Sequence, residues 1–196
     1  MKILVACEFS QVVTKAFRDN GHEAYSCDLL PTEGNPDWHI QANVLRHLDD
    51  GWDLMIAHPP CTYLANSGVR WLFEQTDRGL DRIDKMEQAF KFFMRLWKAE
   101  IGKICVENPI PHPYGLNLVN PGKYTQLIQP HYFIGSNESK ATCLWLRNLP
   151  KLERTQWLGK SEIKQSVFRM PPSKTRGKER SRFPVSIAKA MAEQWG

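Results

Sequence analysis

The chain has 196 residues, 42% of them hydrophobic and 24% charged, with a formal charge of +5. That is enough chain for one domain with a substantial core, and no apolar run approaches the ~20 residues that cross a bilayer. The 5 cysteines are odd in number and form no CxxC pair, which argues against a disulfide framework and a zinc site.

The opening stretch MKILVACEFS is too quickly polar for a signal peptide. It predicts a first strand buried on both faces and a cytoplasmic protein. Val12, Val13, Ala16 and Phe17 then fall at helical spacing, and Gly21 supplies a stop. The run HEAYSCDLL predicts a second strand ending at Asp28, which completes a βαβ unit. A loop follows, then a short strand and a short helix. WDLMIAH predicts the next buried strand, ended by Pro59 and Pro60.

Ile83, Met86, Phe90, Phe93, Met94 and Trp97 form the apolar stripe of a long helix. KICVENP predicts a further strand, again stopped by proline. Residues 110–121 are rich in Pro, Gly and Asn and predict a loop. YTQLIQPHYF and KATCLWLRN predict paired strands around the turn-rich GSNES. Residues 151–182 are polar and basic with little periodicity, and Lys174, Arg176, Lys178, Arg180 and Arg182 stand at every second position. FPVSIAKAMAEQW predicts a closing helix. This alternation predicts a single α/β domain: a doubly wound, mostly parallel sheet with an antiparallel hairpin at one edge. Ligands of such sheets bind at the carboxyl ends of the strands. Asp28, Cys61 and Glu107 all fall just past strand ends, so they are expected on one rim.

A cysteine inside an apolar run reads as a buried structural thiol, and Cys7, Cys27, Cys105 and Cys143 fit that reading. Cys61 differs. Pro59 and Pro60 fix the backbone and present it at a strand exit, the rigid and accessible placement that a nucleophile needs. Glu107, directly after KICV, supplies a carboxyl that can protonate or hydrogen-bond a ring nitrogen.

HPPC followed by ENP about 45 residues later resembles the cytosine-C5 DNA methyltransferase family. Its Pro-Pro-Cys loop carries the nucleophile and its Glu-Asn-Val segment the acid. The resemblance implies the Rossmann-like fold of S-adenosylmethionine-dependent methyltransferases, with Cys61 and Glu107 catalytic. It implies cofactor contacts from Glu8, Phe9 and Ser10 in VACEFS, from Asp28 to the ribose with Leu29 beside it, from Asn43 near the adenine, and from Pro59. Substrate contacts are implied for Pro60 and Asn108. Lys140 stands where an arginine of the family's Gln-x-Arg-x-Arg segment would be. The chain departs from the pattern at Gln11, where the family has glycine, and at Thr62, where it has glutamine. Only residues 151–182 stand in place of a large target-recognition domain. The basic positions Lys174, Arg176, Lys178, Arg180 and Arg182 are either a solvated loop or phosphate contacts to DNA. Trp71, Trp145 and Trp157 are core residues or base-stacking ones. Three functional readings follow: a DNA cytosine-C5 methyltransferase, a DNA-binding relative without turnover, or an enzyme acting on a free cytosine nucleotide.

Overall fold

The computed structural model describes residues 1–65, 77–113 and 122–196. Its strands are β1 (Lys2–Ala6), β2 (Glu23–Asp28), β3 (His39–Gln41), β4 (Leu54–Ala57), β5 (Lys103–Asn108), β6 (Gln126–Ile128) and β7 (Thr142–Arg147). They form one 7-stranded sheet in the order β3-β2-β1-β4-β5-β7-β6. The pairs from β3 to β5 are parallel, and β7 runs antiparallel to both β5 and β6. The sheet is mostly parallel with antiparallel pairing at one edge, as the alternation of strands and helices predicts. The expected edge hairpin thus takes a particular form. The reversed strand β7 lies inside the sheet, and β6, reversed again, sits at the edge parallel to the rest.

The helices are α1 (Val12–Asp19), α2 (Asp77–Trp97), α3 (Ser166–Arg169), α4 (Arg176–Ser181) and α5 (Val185–Trp195). Both sheet faces are covered, as alternating side chains on β1 show. Leu4 and Ala6 join Met55, Ile104, Val106 and Trp145 under Phe90, Phe93 and Leu96 of α2. Ile3 and Val5 join Leu54, Ile56 and Leu144 under Val13 and Phe17 of α1 and Ile187, Met191 and Trp195 of α5. Truncating a buried aromatic such as Phe93 (1% exposed) to alanine should remove about 3–5 kcal/mol. Trp145 is core, edge-on to Phe93 with centroids 5.1 Å apart. Trp157 is exposed, and Trp71 lies outside the described residues. Gly21 takes φ 83° directly after α1 and Asn20, the left-handed stop that the sequence predicts.

Residues 155–166 of the 151–182 segment are tied down. Thr155 N and Gln156 N donate to the Tyr132 carbonyl, both at 3.0 Å, and Lys164 N to that of Asn137 at 2.8 Å. Glu138 accepts from Ser166 N and Oγ at 3.1 and 2.7 Å. The segment therefore runs as a strap along residues 131–140 and ends in α4 at the carboxyl rim of the sheet.

Candidate active site at the carboxyl rim

The chain leaves β1 toward β2 and β3, then crosses back to β4 on the other side of β1. The crevice between the carboxyl ends of β1 and β4 is therefore the topological switch point, where open α/β sheets bind ligands. The rim carries Cys7–Ser10 after β1, Asp28 as the last residue of β2, Asn43 after β3, His58–Cys61 after β4 and Glu107–Asn108 at the end of β5. Because β7 is reversed, its start also lies on this rim, and Lys140 stands two residues before it.

On the β1 side, Glu8 is buried and its carboxylate is fully used. Oε1 accepts from Val13 N at 2.7 Å, and Oε2 from Thr14 N at 3.1 Å and Thr14 Oγ1 at 2.8 Å. It caps α1 and satisfies orphan amides of the first turn, so its side chain is committed to the loop. Phe9 stands beneath Lys178, whose Nζ is 5.4 Å from the ring centroid, and Ser10 is partly exposed.

Gln11 takes φ 56° and ψ 24°, the left-handed conformation that favours glycine. Its side chain neither projects into the crevice nor waits for a ligand. It lies buried under the loop after β2. Nε2 donates to Asn35 O at 2.9 Å and Ser26 Oγ at 3.1 Å, and Oε1 accepts from Asn35 N at 2.7 Å. A Cβ at Gly34 would overlap the Gln11 carboxamide. Ser26 in turn meets His39 Nδ1 at 2.8 Å, while His39 Nε2 reaches the Leu30 carbonyl at 2.9 Å. The Gln11 amide thus anchors the 29–39 loop, which frames Asp28.

Asp28 Oδ1 accepts from Leu30 N at 2.9 Å, and its second oxygen has no partner among the described residues. Leu29, 71% exposed, offers an apolar surface beside it. Asn43 is exposed, and its side chain accepts from Leu45 N at 3.0 Å, which leaves its amide N–H groups free.

Across the crevice, Cys61 opens a short turn: its carbonyl accepts from Leu64 N at 3.0 Å and Ala65 N at 2.9 Å. The thiol is only partly exposed. Burial, and then the Glu107 carboxylate, push its pKa above the ordinary value, while Lys140 and Arg180 pull it back. The cations are held close by packing. Burial lowers the Lys140 pKa, opposed by Glu107 and Cys61, and Lys140 Nζ donates to the Arg182 carbonyl at 2.7 Å. The other cysteines, Cys27, Cys105 and Cys143, are fully buried, and Cys7 partly so. Burial raises the pKa of Cys27 to about 11 and that of Cys143 to about 12.

Asn108 is 1% exposed, and its Nδ2 donates to the Pro59 carbonyl at 3.2 Å. It locks the buried Pro59, and with it the exposed Pro60 and Cys61, to the end of β5. Its Oδ1 is buried without a partner among the described residues. His58 is the residue that sequence reasoning passed over. Its Nδ1 lies 3.2 Å from Glu107 Oε2, and its ring packs on Phe183 with centroids 4.6 Å apart. The only sequence signal was its position beside the proline pair.

No family model and no curated protein matches the chain. A solved structure similar to it is that of a candidate DNA modification methyltransferase encoded within an E. coli prophage, 11% identical, at a TM-score of 0.41. That alignment covers 74% of this chain and 46% of the other, so the chain spans less than half of that protein. A likeness of this size carries no functional argument.

The basic segment divides by helical geometry. Residues four apart share a helix face, so Arg176 and Arg180 lie on one side of α4 and Lys178 on the other, while Lys174 and Arg182 flank the helix. Arg176 and Arg180 are partly buried, and Lys174, Lys178 and Arg182 are exposed. Arg180 acts on the Cys61 thiol, whereas Lys178 and Arg182 pair with Glu33 at 2.6 and 2.7 Å. Arg176 Nε is buried without a partner.

Proposed function

We propose that the protein is an S-adenosylmethionine-dependent DNA cytosine-C5 methyltransferase acting on a flipped or single-stranded base. The observation that supports this reading best is the placement of Cys61 and Glu107 together. They lie on one rim beside the β1/β4 crevice, close enough for the carboxylate to shift the thiol. A base inside a duplex cannot reach a rim site, so the target must leave its stack.

S-adenosylmethionine would supply an electrophilic methyl group. The residues that fit it are Asp28, through its free carboxylate oxygen, the exposed Leu29, the Asn43 amide, and the backbone of Phe9 and Ser10. Pro59 lies on the opposite wall. Glu8 and Gln11 would serve this site indirectly, one by capping α1 and the other by anchoring the loop.

The chain's own chemistry has a simple logic. Attack by Cys61 Sγ on C6 needs a thiolate, and activation of the ring needs a proton offered to N3 by Glu107. These two demands agree. A proton on Glu107 removes the negative charge that holds the thiol protonated, so thiolate with carboxylic acid contains the same number of protons as thiol with carboxylate. Lys140 and Arg180 favour the thiolate further. As Sγ bonds to C6, the Glu107 proton passes to N3 and C5 becomes nucleophilic. After C5 is alkylated and gives its proton to solvent water, the C6–S bond breaks and N3 returns its proton to Glu107. The exposed cations Lys174, Lys178 and Arg182 would meet phosphates, with Pro60 and Asn108 lining the base's path.

The test is transfer of a labelled methyl group to duplex DNA, single-stranded DNA and deoxycytidine nucleotides, followed by identification of the base formed. Appearance of 5-methylcytosine in either DNA supports the proposal, and label only in nucleotides would make the free nucleotide the substrate. No cofactor binding at millimolar concentration would overturn the enzyme reading in favour of a DNA-binding protein without turnover.

A further inference from the structure

We infer that His58 is a positioning residue for Glu107: a neutral imidazole that donates from Nδ1 to Oε2 and turns Oε1 toward the base. This rests on the proposed reaction. The geometry restricts His58 closely. Its side chain is 12% exposed and that of Glu107 14%, with Nδ1 and Oε2 3.2 Å apart. The backbone fixes one end of the contact, because His58 N donates to the Ala6 carbonyl at 2.9 Å. Phe183 packs on the ring at 4.6 Å and stops it from swinging away. Glu107 Oε1 has no hydrogen bond among the described residues, so it is the oxygen available to a ligand.

The protonation state follows from the other ring nitrogen. His58 Nε2 is buried and has no hydrogen-bond partner among the described residues. A charged imidazolium would leave an N–H donor there without an acceptor, an expensive arrangement. The charged group paired with the ring is Glu107 on β5, which Nδ1 alone already meets. The Nδ1–H tautomer keeps the bond to Oε2 and leaves only a lone pair unsatisfied. After Glu107 gives its proton from Oε1 to N3, that same bond stabilises the carboxylate left behind. His58 itself gains and loses no proton.

Nitrogen NMR of isotopically labelled, ligand-free protein reads the tautomer directly. The expected spectrum near neutral pH shows His58 Nδ1 protonated and Nε2 bare, with Glu107→Gln shifting the balance. An imidazolium, or a proton on Nε2 in the wild type, would overturn the inference. The kinetic arm compares His58→Phe, which keeps the ring packing without a donor, with His58→Asn, which places an amide N–H near the Nδ1 position. Loss of one hydrogen bond to a charged group should lower kcat roughly tenfold to hundredfold in the Phe variant with KM unchanged, and Asn should recover most of it. Equal rates in the three proteins refute the role. Should the wild type transfer no methyl group at all, the proposed reaction fails while the tautomer still decides this inference.

Discussion

Gln11→Gly tests the anchor of the β2–β3 loop. Restoring glycine removes the hydrogen bonds from Nε2 to Asn35 O and Ser26 Oγ and from Asn35 N to Oε1, which measure 2.9, 3.1 and 2.7 Å. At about 1 kcal/mol net for each, the loss is about 3 kcal/mol. Against it stands relief of the left-handed backbone at φ 56°, on the order of 1–2 kcal/mol. The extra freedom of glycine in the unfolded chain offsets part of that relief. The variant should therefore be less stable by about 2 kcal/mol, a fall in Tm of roughly 4–8 °C for a chain of this size. Gln11→Ala keeps the strain and loses the same bonds, so it should fall further. Cofactor affinity should weaken in both, because Asp28 and Leu29 open the loop that Gln11 holds. Urea denaturation gives the stabilities and calorimetry with S-adenosylmethionine gives the affinities. A Gln11→Gly protein as stable as the wild type, binding cofactor more tightly, would show that the side chain crowds the site and that the anchoring argument is wrong.

Cys61→Ala should abolish methyl transfer with stability and cofactor affinity nearly unchanged, whereas Cys105→Ala, inside β5, should lose about 1 kcal/mol and keep the activity; assays of rate and unfolding on both proteins separate the roles. Because the Cys61 pKa is raised by burial and by Glu107, iodoacetamide should react slowly at neutral pH and faster only as pH climbs past the ordinary thiol range. Glu107→Gln removes the negative charge and should speed alkylation at a fixed pH, Lys140→Met should slow it, and a pH profile that neither variant moves would break the electrostatic coupling. Glu107→Gln should also lower turnover by about 10²–10⁴-fold with DNA affinity held, which single-turnover kinetics can check. Neutralising Lys174, which has no ion pair among the described residues, should reduce the salt slope of DNA binding by about one unit. Neutralising Lys178 and Arg182 should reduce it less, since Glu33 already meets them, and Glu33→Gln should raise it. Equal effects at all these positions, measured by titration at several salt concentrations, would mean that the ion pairs do not persist in solution.

Most of the sheet was legible because its strands announce themselves chemically. KILVA, LMIA and KICVEN are short apolar runs stopped by polar or proline-bearing segments, and a strand buried on both faces needs that composition. The converging rim was legible too, since the rule for ligand sites depends only on strand direction and order. The position of β7 was not. KATCLWLRN says that a strand exists and that it follows another without a helix, but inserting it between β5 and β6 depends on pairing far along the chain. Arg147 helps to set that position by donating to the Trp97, Ala99 and Ile101 carbonyls at 2.9, 2.6 and 2.7 Å. Nothing local to KATCLWLRN could show it. The role of Gln11 was not legible either: the sequence shows only a departure from a glycine pattern, whereas its partners Ser26 and Asn35 stand 15 and 24 residues away.

The basic segment shows how one pattern supports two geometries. Cations at every second position read as one face of an extended chain, and five on one face would repel each other unless they met a polyanion. A helix splits the same string. Residues two apart on a helix point to nearly opposite sides, so Arg176 and Arg180 separate from Lys178, with Lys174 and Arg182 just beyond the helix ends, without any change of composition. Glu33 then takes two of the outer cations, and Lys140 binds the carbonyl that follows α4. The strap therefore joins the β2–β3 loop, which frames Asp28, to Lys140 and Phe183 beside Cys61 and His58. These contacts are expected to couple the two sides of the crevice through α4. Breaking the Glu33 pairs should then alter both the salt dependence of DNA binding and the reactivity of Cys61, the latter because Arg180 sits on the same short helix. Alkylation of Cys61 in Glu33→Gln at low salt measures that coupling. A rate identical to the wild type, alongside a changed salt slope, would confine Glu33 to the outer face and leave α4 held in place by Lys140 alone.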